Sequence, residues 1–435
     1  MSPADRRLCQ ELVYGMVRWQ ATLDWLVARK TRQRPRSPIL RAILHLGLYQ
    51  ILWLDRIPDH AAVYETVQLA RRNGLAIQAG FVNGLLRSCL RERTALKRLL
   101  AGLKTSQPHL GYSHPEWLVQ RWQQRWGAQR AAQLMEWNNT PPRTYGRLNT
   151  LKTQPDLLMT AWREEGVEFL PVQRDWIEEN RSFELVSHPP LEKLASFARG
   201  LFYVQDPGTL LAVKMLQPRP GERVLDLCAA PGGKLTYIAQ LMENRGRLCA
   251  CDIDPDRFEL VRQNCARLGV TCVEPIAATA LNRRSVPLAP SPGGEGRGEG
   301  EPHSAFCIPN SALRKDAGEP SSVATFDRIL IDAPCSNTGV MRRRVDLRWR
   351  IQPEEILRLQ ETQLSLLRQA APLLKPGGTL VYSTCSLEPE ENQQTVKSFL
   401  ERQKSFRLEQ ERELLPFNEG VDGAYVAVMA RLTSP

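Results

Sequence analysis

From Arg223 onward, short apolar segments alternate with longer amphipathic ones. The predicted strands are residues 223–227, 247–252, 326–331 and 378–383, and the predicted helices begin near residue 233 and cover 255–268 and 353–373. Strands that alternate with helices in this way form βαβ units, which place the strands in parallel. The sequence therefore predicts an α/β fold with a doubly wound, Rossmann-like sheet in this part of the chain.

Two of these predicted strands are each followed closely by a cysteine. Residues 332–335 read Asp-Ala-Pro-Cys, and residues 383–386 read Ser-Thr-Cys-Ser. In an open α/β sheet, ligands bind at the carboxyl ends of the strands, so Cys335 and Cys385 are expected at that edge. Two thiols that face one pocket indicate covalent chemistry.

A tight turn of small residues joins the first predicted strand to its helix, where residues 226–234 read DLCAAPGGK. Gly232 and Gly233 lack a Cβ atom and let a ligand approach the backbone closely. A phosphate-binding P-loop does not fit, because it needs a glycine earlier in the turn and a hydroxyl in place of Leu235. The dinucleotide fingerprint fails as well, since it needs three spaced glycines. The remaining alternative is a tight turn without a ligand.

An acidic residue, Asp252, ends the next predicted strand. A carboxylate at this place can accept hydrogen bonds from the ribose diol of a nucleoside-containing cofactor. The alternative is that it caps the following helix, a role that suits Asp254 better because Pro255 comes directly after it. We expect the two aspartates to divide these tasks.

The amino-terminal third carries the positive charge of the chain. Residues 1–145 hold 22 Lys and Arg against 9 Asp and Glu, whereas the remaining residues hold 36 against 38, for a net charge of +11. Residues 1–105 are predicted to form an all-α domain of amphipathic helices, and residues 106–205 a connecting helix and a small α+β subdomain. A basic domain on a near-neutral body favours RNA or DNA as a partner, with a solvated arginine-rich surface as the alternative.

The sequence shows no sign of export or of membrane insertion. The first twenty residues lack the apolar core of a signal peptide, and the most apolar amino-terminal stretch, residues 39–54, is too short and too polar to span a bilayer. The ten cysteines show no disulfide spacing, so we expect them to be reduced and the protein to be cytoplasmic. Cys249 and Cys251 would share one face of a strand and pack in the core, so no metal site is predicted.

Residues 282–324 interrupt the alternation of strands and helices within the predicted domain of residues 206–435. Residues 287–302 alone contain five glycines and four prolines, a composition that buries too little apolar surface to order itself. We expect a disordered surface insertion, with a lid over the site as the alternative.

Three motifs follow one another in the second half of the chain: DLCAAPGGK at 226–234, DAPCSNTG at 332–339, and YSTCS at 382–386 with EPEEN at 388–392. In this order they resemble the NOP/Sun group of S-adenosylmethionine-dependent RNA cytosine-C5 methyltransferases, over about residues 110–435. The preceding helical region, with LGLYQ at 46–50 and FVNGLLR at 81–87, resembles the NusB-like RNA-binding domain. The whole arrangement is similar to a bacterial family that methylates one cytosine of 16S ribosomal RNA.

The resemblance implies a class I methyltransferase domain with S-adenosylmethionine as its cofactor. It implies cofactor contacts from Cys228, Ala229, Ala230, Pro231, Gly232, Gly233 and Lys234, from Asp252 at the ribose and from Asp332, with Arg257 assisting. It also implies that Cys385 is the nucleophile that adds to C6 of cytosine and that Cys335 helps to release the product. Asp332 would be the third catalytic residue, through a hydrogen bond to N3 of the base.

The implied partner is 16S ribosomal RNA, free of protein or in an early assembly intermediate, and we expect the protein to be a monomer. The alternatives are the same chemistry on transfer RNA or another ribosomal site, and a non-catalytic RNA-binding assembly factor. Five arginines that follow the first cysteine motif are expected to bind RNA phosphates, with a solvated surface as the alternative: Arg342, Arg343, Arg344, Arg348 and Arg350.

Two departures from the family pattern stand out. From the resemblance we expect the first helix of the NusB-like domain to be missing, since residues 2–18 match the second one. Ala278, followed by Thr279, stands where the family has an aspartate that contacts the cofactor base. Weaker cofactor binding is the hypothesis that follows from this second departure.

Overall fold

The computed structural model describes residues 3–31, 37–252, 254–277 and 325–433. Ala278, Thr279 and the insertion predicted at 282–324 lie outside the described residues. The chain divides into two compact units, one of residues 1–142 with 341–351 and the other of residues 143–340 with 352–435. In the part of the chain that the structure describes, every helix is too short or too polar to cross a membrane.

The first unit contains helices and turns without strands over residues 3–31, 37–142 and 341–351. Its helices up to residue 142 are α1 (Pro3–Arg18), α2 (Gln20–Thr31), α3 (Pro38–Trp53), α4 (Asp59–Arg72), α5 (Ala79–Arg91), α6 (Arg93–Ser106), α7 (Pro108–Gly111) and α8 (Glu116–Asn139). The start of α3 shows why a helix forms there, since the Ser37 hydroxyl accepts a hydrogen bond from the Leu40 N–H and Pro38 presets the first φ angle. Apolar faces of α2 to α6 pack into one core, which confirms the predicted all-α region.

The second unit begins with a small antiparallel sheet in the order β2-β3-β1-β4. Its elements are β1 (Thr144–Leu148), α9 (Pro155–Glu164), β2 (Glu168–Pro171), β3 (Ser182–Ser187), α10 (Ala195–Ala198) and β4 (Phe202–Val204). Trp162 of α9 is fully buried and meets Phe183 and Phe202 edge-on, at ring centroid distances of 5.3 and 5.1 Å. Aromatic rings favour this geometry. The predicted α+β subdomain is therefore confirmed.

A seven-stranded sheet in the order β10-β11-β9-β8-β5-β6-β7 forms the body of the second unit. Its strands are β5 (Arg223–Asp226), β6 (Arg247–Asp252), β7 (Val273–Ala277), β8 (Phe326–Asp332), β9 (Leu374–Thr384), β10 (Phe406–Leu414) and β11 (Ala424–Arg431). The helices are α11 (Leu210–Leu216), α12 (Gly233–Leu241), α13 (Pro255–Leu268), α14 (Leu347–Arg350), α15 (Pro353–Ala370), α16 (Gln393–Arg402) and α17 (Pro416–Glu419). Strands β5 to β9 pair in parallel, as predicted for β5, β6, β8 and β9, whereas β7 was not among the predicted strands. Strands β10 and β11 add an antiparallel edge that the sequence analysis did not predict.

Hydrophobic cores cover both faces of the large sheet. Val224 and Leu248 contribute to the core that contains apolar residues of α11, α12 and α13. Leu225 and Cys249, one position further along each strand, contribute to the opposite core with residues of α15 and α16. This alternation confirms the doubly wound class. Cys251 lies in the same core as Cys249, so the two cysteines share one buried face, as predicted.

The segment Met341–Ile351, which contains α14, belongs to the helical unit. Arg348 is fully buried there and donates hydrogen bonds to four oxygens, namely the backbone O of Arg18 (3.3 Å), Ser113 (3.1 Å) and Asn138 (3.0 Å) and the Oδ1 of Asn139 (2.9 Å). Arg18 and Asn139 end α1 and α8, whose last carbonyl groups need such donors. Arg342 is also buried, over the Trp137 ring at 4.0 Å. The expectation that these two arginines bind phosphates is therefore wrong, because each is enclosed by protein groups.

Candidate active site

Four neighbouring strands bring three carboxylates and a thiol to one edge of the large sheet. Asp226, Asp252 and Asp332 are the last residues of β5, β6 and β8, and Cys385 directly follows β9. These strands are adjacent in the order β9-β8-β5-β6. Carboxylates and thiols from four strand ends therefore lie along the edge where doubly wound folds bind ligands.

The loop between β5 and α12 is held by the end of β6. Gly232 precedes α12 with φ of +100°, a left-handed conformation that favours glycine. The Ala230 N–H donates to Asp252 Oδ2 (3.0 Å), and Arg257 Nη2 donates to the Ala230 carbonyl (3.0 Å). Asp254 accepts from the backbone N–H groups of the first turn of α13. Asp254 is thus the helix cap, as predicted, while Asp252 supports the loop.

Lys234 and Asp332 form an ion pair at the centre of the site, with Nζ and Oδ2 separated by 2.6 Å. The Ser383 hydroxyl donates to the other carboxylate oxygen of Asp332 at 2.9 Å. Burial alone would lower the pKa of Lys234, but the charge and the hydrogen bond of Asp332 outweigh it and raise that pKa. The lysine is therefore a cation at neutral pH, in contact with a carboxylate that accepts two hydrogen bonds.

Asp226 is a residue that the sequence-based site prediction left out, although it begins the DLCAAPGGK motif. It is 1% exposed, and neither carboxylate oxygen accepts a well-formed hydrogen bond from a described residue. Burial, followed by the charge of Asp332, raises its pKa to about 7, even though Lys234 and the nearby Cys228 N–H favour the charged form. A buried carboxylate without a hydrogen-bond partner is costly for the free protein. It is suited to receive a positively charged ligand group.

The two predicted thiols lie side by side, with Cys335 Sγ and Cys385 Sγ 3.3 Å apart. Cys335 is buried, whereas Cys385 is partly exposed. The hydrogen bond to Cys385, together with burial, raises the pKa of Cys335 well above its ordinary value. Cys335 therefore holds its proton at neutral pH and can share it with the neighbouring sulfur.

Asn337 bridges the two cysteine loops and was also missing from the predicted site. Its Oδ1 accepts from the Cys385 thiol (3.0 Å), and its Nδ2 donates to the Cys335 carbonyl (2.6 Å). The residue has φ of +59°, a left-handed conformation that asparagine adopts more readily than most residues. Its place inside the DAPCSNTG motif is the sequence feature that could have identified it as a site residue.

Close backbone contact also joins the two loops. The Gly339 N–H donates to the Cys385 carbonyl at 2.9 Å. A Cβ atom on Gly339 would lie 2.7 Å from the Gly423 carbonyl oxygen and 2.8 Å from that of Cys385. Only glycine fits this approach, so the thiols are carried on loops that touch each other through their backbones.

A buried arginine of the small sheet supports the start of α12. Arg147 of β1 donates to the Gly233 carbonyl (2.8 Å) and to Thr236 Oγ1 (3.0 Å), and also contacts the side chain of Gln205. Burial lowers the pKa of Arg147 to about 10, so it stays charged at neutral pH. The α+β subdomain thus contributes directly to the geometry of residues 228–234, the glycine loop.

Comparison with solved structures gives the class to which this fold and site belong. A crystal structure of a methyltransferase homolog protein from Pyrococcus horikoshii superimposes with a TM-score of 0.58 and 29% sequence identity, over 74% of this chain and 97% of that one. The strand order and the ligand edge described above thus belong to a methyltransferase fold. Models of the NusB family and of the RsmF/B-like ferredoxin-like domain match residues 1–91 and 114–175.

Sequence relatives define the family. The family model described as 16S rRNA methyltransferase RsmB/F matches residues 213–285 and 307–430. A probable ribosomal RNA small subunit methyltransferase B of Bacillus subtilis is 32% identical over 99% of this chain and 92% of its own length. A ribosomal RNA small subunit methyltransferase B of Escherichia coli O157:H7 is 35% identical over the same shares of the two chains. This chain belongs to the RsmB/F family of methyltransferases.

Proposed function

We propose that this protein transfers a methyl group to C5 of one cytosine in 16S ribosomal RNA, with Cys385 as the attacking thiol and Cys335 as the group that assists release. The observation that carries this proposal is the pair of thiols 3.3 Å apart at the strand ends of a methyltransferase fold. A reaction at an oxygen or an exocyclic nitrogen would have no use for two adjacent thiols. A reaction at carbon 5 of a pyrimidine does need a thiol, because C5 is a poor nucleophile until a group adds to C6.

Cys385 is the better placed of the two thiols to attack the base. It is partly exposed, so a base in the site can reach its sulfur, whereas Cys335 is buried. The Cys385 sulfur adds to C6, and the electron pair of the C5–C6 double bond moves into the ring and makes C5 nucleophilic. Cys335, which keeps its proton, can donate a hydrogen bond to the Cys385 sulfur, and the Oδ1 atom of Asn337 accepts from the Cys385 thiol and so orients it before the attack.

Asp332 is suited to bind the N3 edge of the ring. Its carboxylate accepts hydrogen bonds from Lys234 Nζ and from the Ser383 hydroxyl, which hold it in place. When the Cys385 sulfur adds to C6, the proton of its thiol moves to N3 of the cytosine, and Asp332 accepts a hydrogen bond from that N3–H. This contact favours addition at C6, because the ring then gains electron density without developing a negative charge.

Cys335 acquires its role only after the attack. The main cause of its raised pKa is the hydrogen bond to Cys385. Once the Cys385 sulfur is bound to C6 as a thioether, it accepts this hydrogen bond only weakly, so Cys335 releases its proton to solvent more easily. The Cys335 thiolate then removes the proton from C5, the C5–C6 double bond forms again, and Cys385 leaves and recovers its proton from N3.

The residues of the glycine loop suit S-adenosylmethionine, which supplies an electrophilic methyl group when it is bound. Residues 228–234 let a ligand approach the backbone, since Gly232 and Gly233 have no Cβ atom. Asp252 would accept from the ribose, and Asp226 and Asp332 would face the positively charged part of the cofactor. The unpartnered carboxylate of Asp226 supports this assignment most strongly, because a cation would satisfy it.

Substitution of Asp226 by asparagine is expected to weaken cofactor binding about 10-fold at pH 8, the loss that one charge-assisted contact commonly causes. The wild-type dissociation constant should rise as the pH falls below about 7, because Asp226 then becomes protonated and loses its charge. The variant should show a flat profile between pH 6 and 8. Calorimetric titration with S-adenosylmethionine at several pH values measures both effects.

The cofactor-free variant should also unfold at a higher temperature than the wild type at pH 8. The folded-state pKa of Asp226 lies above its ordinary value, so the charged form destabilises the fold at any pH above that ordinary value, and asparagine removes this charge. Substitution of the exposed Asp156 by asparagine is the matched control. A wild-type affinity that does not change with pH would contradict the assignment of Asp226.

RNA is the partner that the charge distribution favours. The net charge of +11 comes from the amino-terminal third, where the NusB family model matches. A base must leave its stack to reach a thiol at a strand end, and this costs least in single-stranded or loop RNA. We propose 16S ribosomal RNA before or early in assembly as the substrate, and a cytoplasmic monomer as the active form.

The proposal is tested with labelled S-adenosylmethionine and three substrates: protein-free 16S ribosomal RNA, assembled small subunits and transfer RNA. We expect label only on the protein-free RNA, and bisulfite sequencing should map it to C5 of a single cytosine. Label on transfer RNA alone would show that the substrate is wrong. Methylation at a position other than C5 would show that the role of the thiols is wrong.

A further inference from the structure

A buried carboxylate joins the two cysteine loops. Glu391 is 0% exposed and precedes α16. Its Oε1 accepts from the Ser336 N–H (2.8 Å) and from Gln363 Nε2 (3.1 Å). Its Oε2 accepts from the hydroxyls of Ser386 (2.5 Å) and Ser336. Four donors on two oxygens satisfy an ionised carboxylate, which can only accept hydrogen bonds and carries no proton to donate.

Three of the four donors come from the positions next to the two thiols. Ser336 directly follows Cys335, and Ser386 directly follows Cys385. The two serines also contact each other, with their Oγ atoms 3.0 Å apart. One carboxylate therefore connects the residue after the first thiol to the residue after the second, across the ends of β8 and β9. A slip of either loop would break at least one of these hydrogen bonds.

Gln363 of α15 fixes the same arrangement from a third element. Its Nε2 donates both to Glu391 and to the Pro334 carbonyl (3.0 Å), which belongs to the residue before Cys335. The next residue, Asn392, accepts from Thr384 Oγ1 (2.6 Å) and donates to the Ser386 carbonyl (2.9 Å). The residues before and after each cysteine are thus hydrogen-bonded to Glu391 or Asn392, either directly or through Gln363.

Such a buried charge is a poor source of stability. Burial raises the pKa of Glu391, which shows that enclosure opposes the charged form, although the serine and glutamine donors counteract it. Buried ionic groups of this kind are often replaceable by apolar residues without loss of stability, and their best-supported use is to fix one arrangement among several. The two residues that Glu391 connects, Ser336 and Ser386, are the ones that directly follow the two thiols.

We propose that Glu391 is a positioning residue that holds the Cys335 and Cys385 loops in register, so that the two thiols stay close enough to act on the same cytosine. The inference rests on the proposed function of the thiols, but the register itself is a property of the free protein. It can therefore be measured without RNA and without cofactor.

The equilibrium constant for forming the Cys335–Cys385 disulfide gives the effective concentration of one thiol relative to the other. This effective concentration measures how closely the two loops hold the thiols together. In a glutathione redox buffer, the two thiols form a disulfide while oxidised glutathione is reduced to two thiols, so two electrons and two protons balance. Peptide mapping of the protein at several redox ratios gives the equilibrium constant for this one pair. The comparison includes the wild type, Glu391→Gln, which keeps the shape and loses the charge, and Glu391→Ala. Glu401→Ala, at an exposed position of α16, is the matched control.

We expect Glu391→Ala to lower the effective concentration at least about 10-fold and the kcat of methylation about 100-fold, the scale on which misplaced catalytic groups lose activity. The KM for S-adenosylmethionine should stay within about twofold, because the side-chain hydrogen bonds described for Glu391 come from residues 336, 363 and 386 and not from the loop at 228–234. Glu391→Gln should be intermediate in both measurements, and Glu401→Ala should match the wild type.

An unchanged effective concentration in Glu391→Gln and Glu391→Ala would overturn the proposal, whatever the activity. If Glu391→Ala does not fold, as judged by its thermal unfolding, Glu391→Gln decides in the same way. A lowered effective concentration in a protein whose wild type methylates no cytosine would leave the positioning role standing and refute the proposed function instead. The two ideas can therefore fail separately.

Discussion

Substitution of Cys385 by alanine is expected to abolish methyl transfer, with a fall in rate of at least about 10⁴-fold, since loss of a covalent nucleophile commonly costs this much or more. Without the sulfur, C6 of the base receives no addition and C5 stays unreactive. Cofactor affinity should remain within about twofold, because Cys385 lies outside the 228–234 loop. Transfer of labelled methyl groups and calorimetric titration of the cofactor measure the two quantities. The exposed Cys9, changed to alanine, provides the control, and a Cys385→Ala variant with substantial activity would refute the assignment.

Substitution of Cys335 by alanine is expected to trap the reaction after methyl transfer. The Cys385 sulfur would stay bound to C6, because the group that removes the C5 proton is absent and the double bond cannot form again. A protein–RNA adduct that survives denaturant should then accumulate, visible as a band of reduced mobility on a denaturing gel. Its formation should require the cofactor.

The double variant Cys335→Ala with Cys385→Ala is the control for this adduct. It should form no adduct, because the sulfur that binds the base is missing. If the double variant also gave the band, a different nucleophile would be responsible. If Cys335→Ala turned over at the wild-type rate with no adduct, a group other than Cys335 would have to remove the C5 proton.

The sequence predicted four of the five parallel strands because each of these four leaves a distinct local pattern. Strands β8 and β9 each contain a short buried apolar run, at 329–331 and 380–382, and their ends carry the motifs with the two cysteines. Strand β10 shows why the antiparallel edge was missed. Its sequence, FRLEQEREL, is charged and mostly exposed in the structure, so it has none of the apolar continuity of an inner strand. Its place is decided by pairing with β11, which the local sequence does not encode.

Part of the site was beyond sequence analysis for a related reason. Cys335, Cys385, Lys234 and Asp332 stand out by residue type and motif, and the structure brings each pair together. Asp226, Asn337 and Glu391 lie in the same motifs, but their importance depends on burial and on partners distant in the sequence. An unpartnered carboxylate or one with four donors looks the same in a sequence, and only the folded environment separates the two.

The arginines after the first cysteine motif illustrate the limits of residue chemistry. A guanidinium group binds an RNA phosphate or a set of carbonyl oxygens with the same donors. Arg348 binds carbonyls at helix ends and Arg342 packs on a tryptophan, so charge alone gave the wrong partner for both. The phosphate role stays a prediction for Arg343, Arg344 and Arg350.

The path of the chain restricts how this protein can be cut or recombined. Residues Met341–Ile351 belong to the helical unit, although they lie in the sequence between the first cysteine motif and α15. A fragment that began at Arg143 would leave Arg348 and Trp349 without the carbonyl groups of Arg18 and Val17. A chimera that exchanged only residues 1–142 with a relative would combine α1 and α8 of one parent with the Met341–Ile351 segment of the other. The transferable module is therefore discontinuous, and a functional swap has to move both pieces of the helical unit together.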